Sequence, residues 1–233
     1  MNNVLKIKNL SKNYGKKEVL KNVDFTFEEN KIYGLVGRNG AGKTTFFEIL
    51  NSDIDYNSGE ISLDGKNLND HNVSLVPATP NVPPFLTGKE FIDFFIKINK
   101  DKIPNLKTSS EYFKLVDIKE DDQNKLMKDY STGMKNKIQT LLGIISNKEI
   151  LLLDEPLTSL DIVVQEEMKE LLKSVKKNRI TIVTTHILDI AIDLCDEIVI
   201  LKDKKLELIE KKDLNNIKYK QNIINALKDN KND

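Results

Sequence analysis

The sequence has one cysteine, no net charge and no long apolar run. Cys195 is the only cysteine among 233 residues, so no disulfide can form within the chain and a reducing cytosol is the expected compartment. Lysine plus arginine and aspartate plus glutamate both number 36, so no basic excess points to nucleic acid as the main partner. Apolar runs such as Ile150–Leu153 are far shorter than the ~20 residues that cross a bilayer, and the first residues show no signal-peptide core. A membrane role is therefore expected to come through a partner chain.

The most informative stretch is rich in glycine and lies near residue 40. Residues Gly37–Thr45 fit the pattern G-x-x-x-x-G-K-[ST] at every fixed position. Lys31–Val36 before them predict a short buried strand, and Phe46–Leu50 after them predict the first turns of a helix with an apolar face. A strand, a glycine loop and a helix in this order are the context in which the pattern indicates a phosphate-binding loop.

The residue types of this loop suit a phosphate group. Glycine lets the backbone adopt positive φ and approach an anion closely, so the N–H groups of residues 38–44 are expected to converge on phosphates at the helix N-terminus. Lys43 supplies positive charge to the β- and γ-phosphates, and the Thr44 hydroxyl is placed to ligate Mg²⁺. The predicted nucleotide contacts of the loop are Gly37, Arg38, Asn39, Gly40, Ala41, Gly42, Lys43, Thr44 and Thr45.

A second strong signal lies in Glu149–Pro156. Its apolar residues predict a fully buried strand, and two carboxylates follow at the strand's C-terminal end, where parallel α/β sheets carry their ligand sites. Asp154 is placed to hold Mg²⁺ directly or through water, and Glu155 is placed to polarise a water for attack on a γ-phosphate. Together with the phosphate loop, these carboxylates predict a nucleotide site rather than a solvated turn.

Three other residues carry weaker signals when only their neighbours are considered. Tyr14 stands beside a turn glycine, where a ring can stack on a base but an ordinary loop tyrosine is commoner. Ser131 is a suitable helix N-cap. His186 ends the predicted strand Arg179–Thr185, where a histidine either contacts a γ-phosphate or caps the local structure.

The remaining pattern predicts an α/β chain that contains a helical insert at residues 85–130. The insert follows a proline-rich loop, Ala78–Pro84, and contains two predicted helices, Lys89–Asn99 and Ser109–Val116. An apolar stripe on the first helix is expected to face the core more often than a partner; it comprises Phe91, Phe94, Phe95 and Ile98. Other predicted strands are Val4–Asn9, Val23–Glu28, Glu60–Leu63, Val73–Val76, Glu197–Leu201 and Lys205–Ile209. Other predicted helices begin at Ser131, Val164 and Ile187, with a modest helix from Asp213 onward.

Taken in order, the motifs resemble those of the nucleotide-binding subunit of ATP-binding cassette (ABC) transporters, and the likeness covers nearly the whole chain. Gly37–Thr45 matches the Walker A loop, and Ile150–Glu155 matches the Walker B strand with its catalytic glutamate. Tyr14 corresponds to the family's adenine-stacking aromatic, and Tyr130–Met134 to its signature segment. Ser159–Asp161 corresponds to the D-loop, and His186 to the switch histidine. The resemblance thus implies catalytic roles for Glu155 and His186 and cofactor contacts from Tyr14, Ser131, Gly133 and Asp161.

The resemblance also implies a fold and a division of the chain. The expected fold is an α/β P-loop NTPase core, a mixed β-sheet flanked by helices, with an antiparallel β subdomain and an inserted α-helical subdomain. Residues 1–77 and 150–211 would form the RecA-like core plus the β subdomain. Residues 78–149 would form the helical subdomain with the signature helix, and residues 212–233 a helical tail.

Partners and cofactors follow from the same resemblance. ATP and Mg²⁺ are the expected cofactors, with Thr44 and Asp154 as metal ligands. Two cassettes, identical or related, would pack head to tail, so that each ATP lies between the Walker A loop of one and the Ser131/Gly133 helix start of the other. The helical insert would dock an integral membrane permease, which places the chain in the cytoplasm on the membrane face. The loop and signature variants are similar to bacterial exporter-type cassettes for drugs, peptides or lipids.

Two alternatives belong to other classes. A soluble cassette ATPase acting on nucleic acid or ribosomes is less favoured, because the chain is neutral, has one cassette and has no long heptad run between Lys43 and Asp154. A GTP switch protein would read guanine through an Asn-Lys-x-Asp pattern. Asn230–Asp233 fit that pattern, but they follow no buried strand and are interpreted as a chance match.

The chain departs from the family pattern at two places. In the signature, Tyr130, Thr132 and Met134 replace leucine, glycine and glutamine, whereas Ser131 and Gly133 are retained. After Val76-Pro77 the family usually has a glutamine that helps to hold Mg²⁺ and senses the membrane partner. This chain has Ala78, whose side chain can do neither, and Thr79, whose hydroxyl lacks the reach. The resemblance therefore leaves the metal geometry and the coupling at this loop open, with slow hydrolysis as one of the possible consequences.

The first prediction concerns this loop. Replacement Ala78→Gln restores an amide that can reach the metal, so it should raise the rate of ATP hydrolysis above that of the wild-type chain. Phosphate release by the two purified proteins measures the effect. An unchanged rate would mean that the loop meets the need in another way.

Overall fold

The structure is a computed structural model that describes residues 3–101, 103, 106–158, 160–209, 220–221 and 223–224. Its strands are β1 (Val4–Tyr14), β2 (Lys17–Glu28), β3 (Lys31–Val36), β4 (Ser58–Leu63), β5 (Lys66–Asn67), β6 (Val73–Val76), β7 (Ile150–Leu153), β8 (Ile180–Thr185), β9 (Glu197–Lys202) and β10 (Lys205–Ile209). Its helices are α1 (Lys43–Leu50), α2 (Gly88–Asn99), α3 (Ser109–Leu115), α4 (Glu120–Gln123), α5 (Thr132–Ile145), α6 (Ile162–Ser174) and α7 (Leu188–Leu194). The predicted α/β fold with a helical insert is confirmed.

A mixed sheet positions the functional residues. Its strand order is β10-β9-β3-β8-β7-β6, in which β10 pairs antiparallel with β9 and the other neighbours are parallel. The register pairs Val36 with Thr185 and Leu153 with Val183, so β3, β8 and β7 end at the same edge. The phosphate loop, His186 and Asp154 each follow one of these strands, and they therefore meet at this edge.

The mixed sheet is buried on both faces. In β3, Ile32 and Val36 pack into a cluster with α5, α6, α7 and the helical insert. Tyr33 and Leu35, which alternate with them, pack into a second cluster with α1 and the antiparallel sheet β2-β1-β4-β5. Burial on both faces explains why β7 is continuously apolar and why β8, with sequence ITIVTT, is buried at every position instead of alternating between buried and exposed residues.

The predicted apolar stripe of α2 is wrong in part. Phe91 and Phe95 pack against the core, but Phe94 and Ile98 are 56% and 57% exposed. The fully buried side chain of this helix is Ile92. The face of α2 that packs on the core is centred between Ile92 and Phe95. The predicted stripe, which included Phe94 and Ile98, is offset from that face by about one residue around the helix.

Other predictions differ from the structure mainly in length. The first hairpin is longer than predicted, because β1 continues to Tyr14 and the turn needs only Gly15 and Lys16 before β2 begins. Turns at Asp64-Gly65 and Asp203-Lys204 join β4 to β5 and β9 to β10 as antiparallel hairpins. The predicted C-terminal helix lies largely outside the described residues, as do Asn230–Asp233.

Tyr130 ties the start of the signature helix to the helical insert. Its ring is 4% exposed, and its hydroxyl donates a hydrogen bond of 2.7 Å to the carbonyl of Asp122. The ring leaves no room for a side chain at Gly88, where a Cβ would lie 2.2 Å from the hydroxyl oxygen. Burial raises the pKa of Tyr130 to about 12, so the phenol stays neutral and keeps its donor.

Replacement Tyr130→Phe should lower the free energy of unfolding by about 0.5–1.5 kcal/mol, because the hydrogen bond from the Tyr130 hydroxyl to the Asp122 carbonyl is lost while that carbonyl keeps the Lys125 N–H at 3.1 Å. Chemical denaturation of the two proteins measures the difference. Tyr112→Phe is the matched control, since Tyr112 is equally buried but its hydroxyl only accepts a long hydrogen bond of 3.4 Å from the Lys107 N–H. Equal losses in the two variants would contradict the assignment.

Candidate functional site

The phosphate loop requires glycine at its junction with α1. Gly42 is the N-cap of α1 with φ 107°, and a Cβ there would lie 2.7 Å from Cγ1 of Val19. Gly40 also has positive φ, at 81°. No side chain caps α1, so the N–H groups of its first turn face the loop without a side-chain acceptor. A phosphate is the ligand that such a helix start favours.

Lys43 is a buried cation at the centre of this loop. Its side chain is 7% exposed, and Nζ donates hydrogen bonds to the carbonyl oxygens of Gly37 at 2.8 Å and Arg38 at 3.2 Å. Nζ also lies 3.8 Å from Oε1 of Glu155. Burial lowers the pKa of Lys43, and the carboxylates of Glu155 and Asp154 oppose that shift. The loop carbonyls therefore hold the ammonium group where triphosphate oxygens would meet it.

Oxygen ligands suited to Mg²⁺ lie beside Lys43. Oγ1 of Thr44 donates a hydrogen bond of 3.3 Å to Oδ2 of Asp154. Among the described residues no group of three or more acidic, histidine or cysteine side chains forms a metal cage. A hydroxyl and one carboxylate next to a phosphate site are what Mg²⁺ commonly uses with nucleotides, because it keeps several waters and takes its other ligands from the substrate. The residues therefore fit the ion.

Thr184 orients both carboxylate residues. Its hydroxyl donates to Oδ1 of Asp154 at 2.5 Å and accepts the backbone N–H of Glu155 at 2.8 Å. Thr184 is fully buried and is the second-last residue of β8, which lies between β3 and β7. Sequence reasoning missed this residue, since a threonine in a β-branched strand carries no signal of its own.

The Glu155 carboxylate is held from three sides. Nδ1 of His186 lies 3.0 Å from Oε2, and the Thr158 hydroxyl donates to the same oxygen at 2.8 Å. The third contact is Lys43. Glu155 has φ 48°, in the left-handed region that non-glycine residues seldom adopt. The side chain of Glu155 thus lies between Lys43 of the phosphate loop and His186.

Lys43, Asp154 and Glu155 line a cleft of about 400 Å³. Tyr14 lies on its wall and is 48% exposed, with Nζ of Lys12 4.9 Å from the ring centroid. The cleft is lined by Tyr14, Lys17, Val19, Asn39, Gly40, Gly42, Lys43, Thr44, Thr45, Ala78, Asp154 and Glu155. The structure thus brings Tyr14 to the phosphate site, against the purely local interpretation, and stacking on adenine stays a prediction.

Three predicted contact residues lie away from this cleft. Ser131 caps α5 by accepting the Met134 N–H at 3.2 Å, and Asp161 caps α6 by accepting the Val164 N–H at 3.0 Å. A Cβ on Gly133 would lie 3.5 Å from Val164, which sets the starts of α5 and α6 side by side. Ser159 is outside the described residues. In this chain alone, Ser131, Gly133 and Asp161 therefore do not reach the nucleotide cleft.

A glycine loop that surrounds a buried lysine, opposite two carboxylates at a parallel sheet edge, defines a P-loop nucleoside triphosphatase. Residues 20–158 match the protein family described as ABC transporter. The chain belongs to the ABC transporter family, whose ATP-binding domains are ATPases.

Similar proteins agree with this assignment. The chain is 31% identical to the uncharacterized ABC transporter ATP-binding protein YxlF of Bacillus subtilis, covering 94% of this chain and 74% of the relative. It is 30% identical to the lantibiotic transport ATP-binding protein SrtF of Streptococcus pyogenes, covering 88% and 90%. It is 32% identical to the zinc import ATP-binding protein ZnuC of Rickettsia conorii, covering 85% and 82%.

Solved structures show the same fold. A structure described as the ATP binding subunit of an ABC transporter superposes with a TM-score of 0.79, at 22% identity, over 96% of this chain and 99% of that one. These likenesses support an ATP-binding subunit of a transporter and do not favour the soluble nucleic-acid alternative. In the described part of the chain, helices are too short or too polar to span a bilayer.

Replacement Thr184→Val should lower the rate of ATP hydrolysis by roughly 10- to 100-fold, because Asp154 loses its orienting donor and the Glu155 N–H loses its acceptor. Thr184→Ser keeps both bonds and should restore most of the rate. The matched control is Thr181→Val on the same strand, whose buried hydroxyl has no hydrogen-bond partner. Steady-state phosphate release measures all three, and a rate loss in Thr181→Val equal to that in Thr184→Val would refute the proposed role.

Proposed function

We propose that the chain powers transport by binding and hydrolysing Mg-ATP in a head-to-tail pair of cassettes. The observation that carries this proposal is the separation of the site into two parts. The cleft is lined by Lys43, Asp154 and Glu155 but by neither Ser131 nor Gly133. Thr132, which lies between these two residues, lines an adjoining pocket together with Glu155 and His186. A second cassette would supply its Ser131 and Gly133 to the γ-phosphate.

The proposed chemistry is phosphoryl transfer to water. The N–H groups of residues 38–44 and the Lys43 ammonium bind the phosphates, and Tyr14 stacks on the adenine. Mg²⁺, when bound by Thr44 and Asp154, neutralises charge that develops on the β- and γ-phosphates. Glu155 orients and deprotonates the attacking water, while His186 holds the Glu155 carboxylate and contacts the γ-phosphate.

The charges around Glu155 support its proposed role. The Glu155 carboxylate lies 3.8 Å from Nζ of Lys43 and 3.0 Å from Nδ1 of His186, so two basic side chains stand beside the oxygens that would accept a proton from water. Triphosphate oxygens are better partners for Lys43 than one carboxylate, so substrate binding would free Glu155 from this contact. The base would then become available only when there is a phosphate to attack.

The partner is proposed to be a separate integral membrane permease that contacts residues 78–149, the proposed helical subdomain, at the cytoplasmic face of the membrane. Residues 1–77 and 150–211 would form the core and residues 212–233 a tail. Exposed apolar side chains support this surface, since Phe85, Phe94 and Ile98 are each more than half exposed. Export of a drug, peptide or lipid is part of the proposal. One relative is named for lantibiotic transport, without a direction, and another is named for zinc import.

The test of the proposed function uses Glu155→Gln, which keeps the size of the side chain and removes its basicity. Hydrolysis should fall by roughly 10²- to 10⁴-fold, while ATP binding is retained, so ATP would accumulate between two copies. Light scattering should then show a dimer with Mg-ATP and a monomer without it. Lys43→Ala is the control, because it should bind ATP weakly and stay monomeric.

Each outcome separates one part of the proposal. Dimerisation of Glu155→Gln only with ATP supports the head-to-tail pair and a homodimer. ATP binding without dimerisation would contradict the homodimer and point to a related cassette chain as partner. Absence of ATP binding in the wild-type chain would overturn the assignment of Gly37–Thr45.

A further inference from the structure

In the loop between β6 and α2, the residue that lines the nucleotide cleft is Ala78, whose side chain has no polar group, and the next residue, Thr79, lines the adjoining pocket with Glu155. Ala78 lines the cleft beside Asp154 and Glu155. Pro77 and Pro80 have no N–H group, so the loop has few ways to hold itself by backbone hydrogen bonds. An anchor must come from elsewhere in the fold.

Gln139, in the middle of α5, supplies that anchor. Its side chain is 7% exposed. Nε2 donates a hydrogen bond of 3.0 Å to the carbonyl of Pro77, and Oε1 accepts one of 2.6 Å from the N–H of Asn81. A carbonyl can only accept and an N–H can only donate, so the two partners fix the orientation of the amide. One side chain therefore clamps both ends of the segment 77–81.

The clamp lies directly beside the metal-binding carboxylate. The carbonyl of Val76, which precedes Pro77, accepts the backbone N–H of Asp154 at 2.9 Å. Two adjacent carbonyls are thus hydrogen-bonded to different elements: that of Val76 to the N–H of Asp154, and that of Pro77 to Gln139 of α5. Gly143, one turn beyond Gln139, lets α5 pack closely on β6, because a Cβ at this position would lie 2.7 Å from Cγ2 of Val76.

The same helix begins at the surface proposed to meet the second nucleotide. Ser131 caps α5, and Gln139 follows it by about two turns. Upstream of Ser131, backbone N–H groups of Met127 and Lys128 donate to the carbonyls of Leu86 and Pro84 at 2.9 and 3.0 Å. The loop is therefore attached to α5 and to the segment that leads into it, along most of residues 77–86.

We propose that Gln139 is a positioning residue of the nucleotide site, which holds segment 77–81 beside Asp154 and links it to the helix that begins at Ser131. It touches neither nucleotide nor metal and acts through the carbonyl of Pro77 and the N–H of Asn81. The inference deepens the proposed function and rests on it, because it assumes that Thr44 and Asp154 bind Mg²⁺ with ATP. The expected effect of losing Gln139 is a smaller gain in ATP affinity on adding Mg²⁺.

Replacement Gln139→Leu removes both hydrogen bonds at nearly constant volume. The gain in affinity for a fluorescent ATP analogue on adding Mg²⁺ should fall by roughly three- to tenfold, which is the size of one or two buried hydrogen bonds. The affinity measured in EDTA should stay within about twofold of wild type, because the phosphate loop is untouched. Where turnover is measured, kcat should fall more than KM rises.

Gln123→Leu is the matched control. Gln123 is also buried in the helical insert and also donates to a backbone carbonyl, that of Ile118 at 3.0 Å, but it is not attached to segment 77–81. It should lower thermal stability by a similar amount and leave both affinities unchanged. Gln139→Glu keeps the acceptor for Asn81 but sets a second acceptor against the Pro77 carbonyl, so it should lose at least as much of the magnesium effect as Gln139→Leu. It serves as the second variant where Gln139→Leu does not fold.

An unchanged magnesium effect in both Gln139 variants would overturn the inference, as would an equal loss in Gln123→Leu. Equal weakening with Mg²⁺ and with EDTA would also overturn it, since that result describes general damage to the fold. A wild-type chain that binds the analogue in neither condition would overturn the proposed function itself, and the inference with it. Binding that is strengthened by Mg²⁺ in wild type, but not in Gln139→Leu, supports both.

Discussion

The buried positive charge of Lys43 is the constraint on which the rest of the site depends. Removing an ammonium group from water is costly unless it gains partners, and here two carbonyls of its own loop and the Glu155 carboxylate provide them. The glycine at position 42 follows from this arrangement, because the loop must curl around Nζ while passing Val19. A triphosphate satisfies the same charge better, so the resting contacts describe a site arranged to exchange one set of anions for another.

For Lys43 to exchange the Glu155 carboxylate for triphosphate oxygens, the carboxylates of Asp154 and Glu155 must stay in place when the substrate binds. The parallel register of β3, β8 and β7 sets their distance from the loop, and Thr184 fixes their orientation by contacting Asp154 and Glu155 at once. His186 and Thr158 keep the Glu155 side chain from following the ammonium group. Asp154 and Glu155 are thus held by the sheet and the residues that follow its strands, while Lys43 is held by the carbonyls of its own loop.

How far the sequence could predict this molecule depends on whether a signal is local. The phosphate loop and the Asp154-Glu155 pair are local patterns with a fixed chemistry, and strand edges such as Lys31–Val36 and Val73–Val76 agreed with the structure. Thr184 and Gln139 have no such pattern, because their value comes from partners far away in the chain. The face of α2 was misjudged for a related reason: its neighbours, not its own periodicity, decide which of two adjacent apolar stripes is buried.

The departures from the family pattern acquire a physical meaning when they are considered together. Ala78 removes a polar side chain from the cleft, yet the loop stays anchored because Gln139 reaches it from α5. Tyr130 is buried against Gly88 and fixes the start of the same helix. Segment 77–81 cannot then leave α5 without breaking two buried hydrogen bonds, so any nucleotide-dependent shift of the loop must carry the helix with it. In a head-to-tail pair, the metal end of one site and the Ser131 contact to the other would therefore move as a single element.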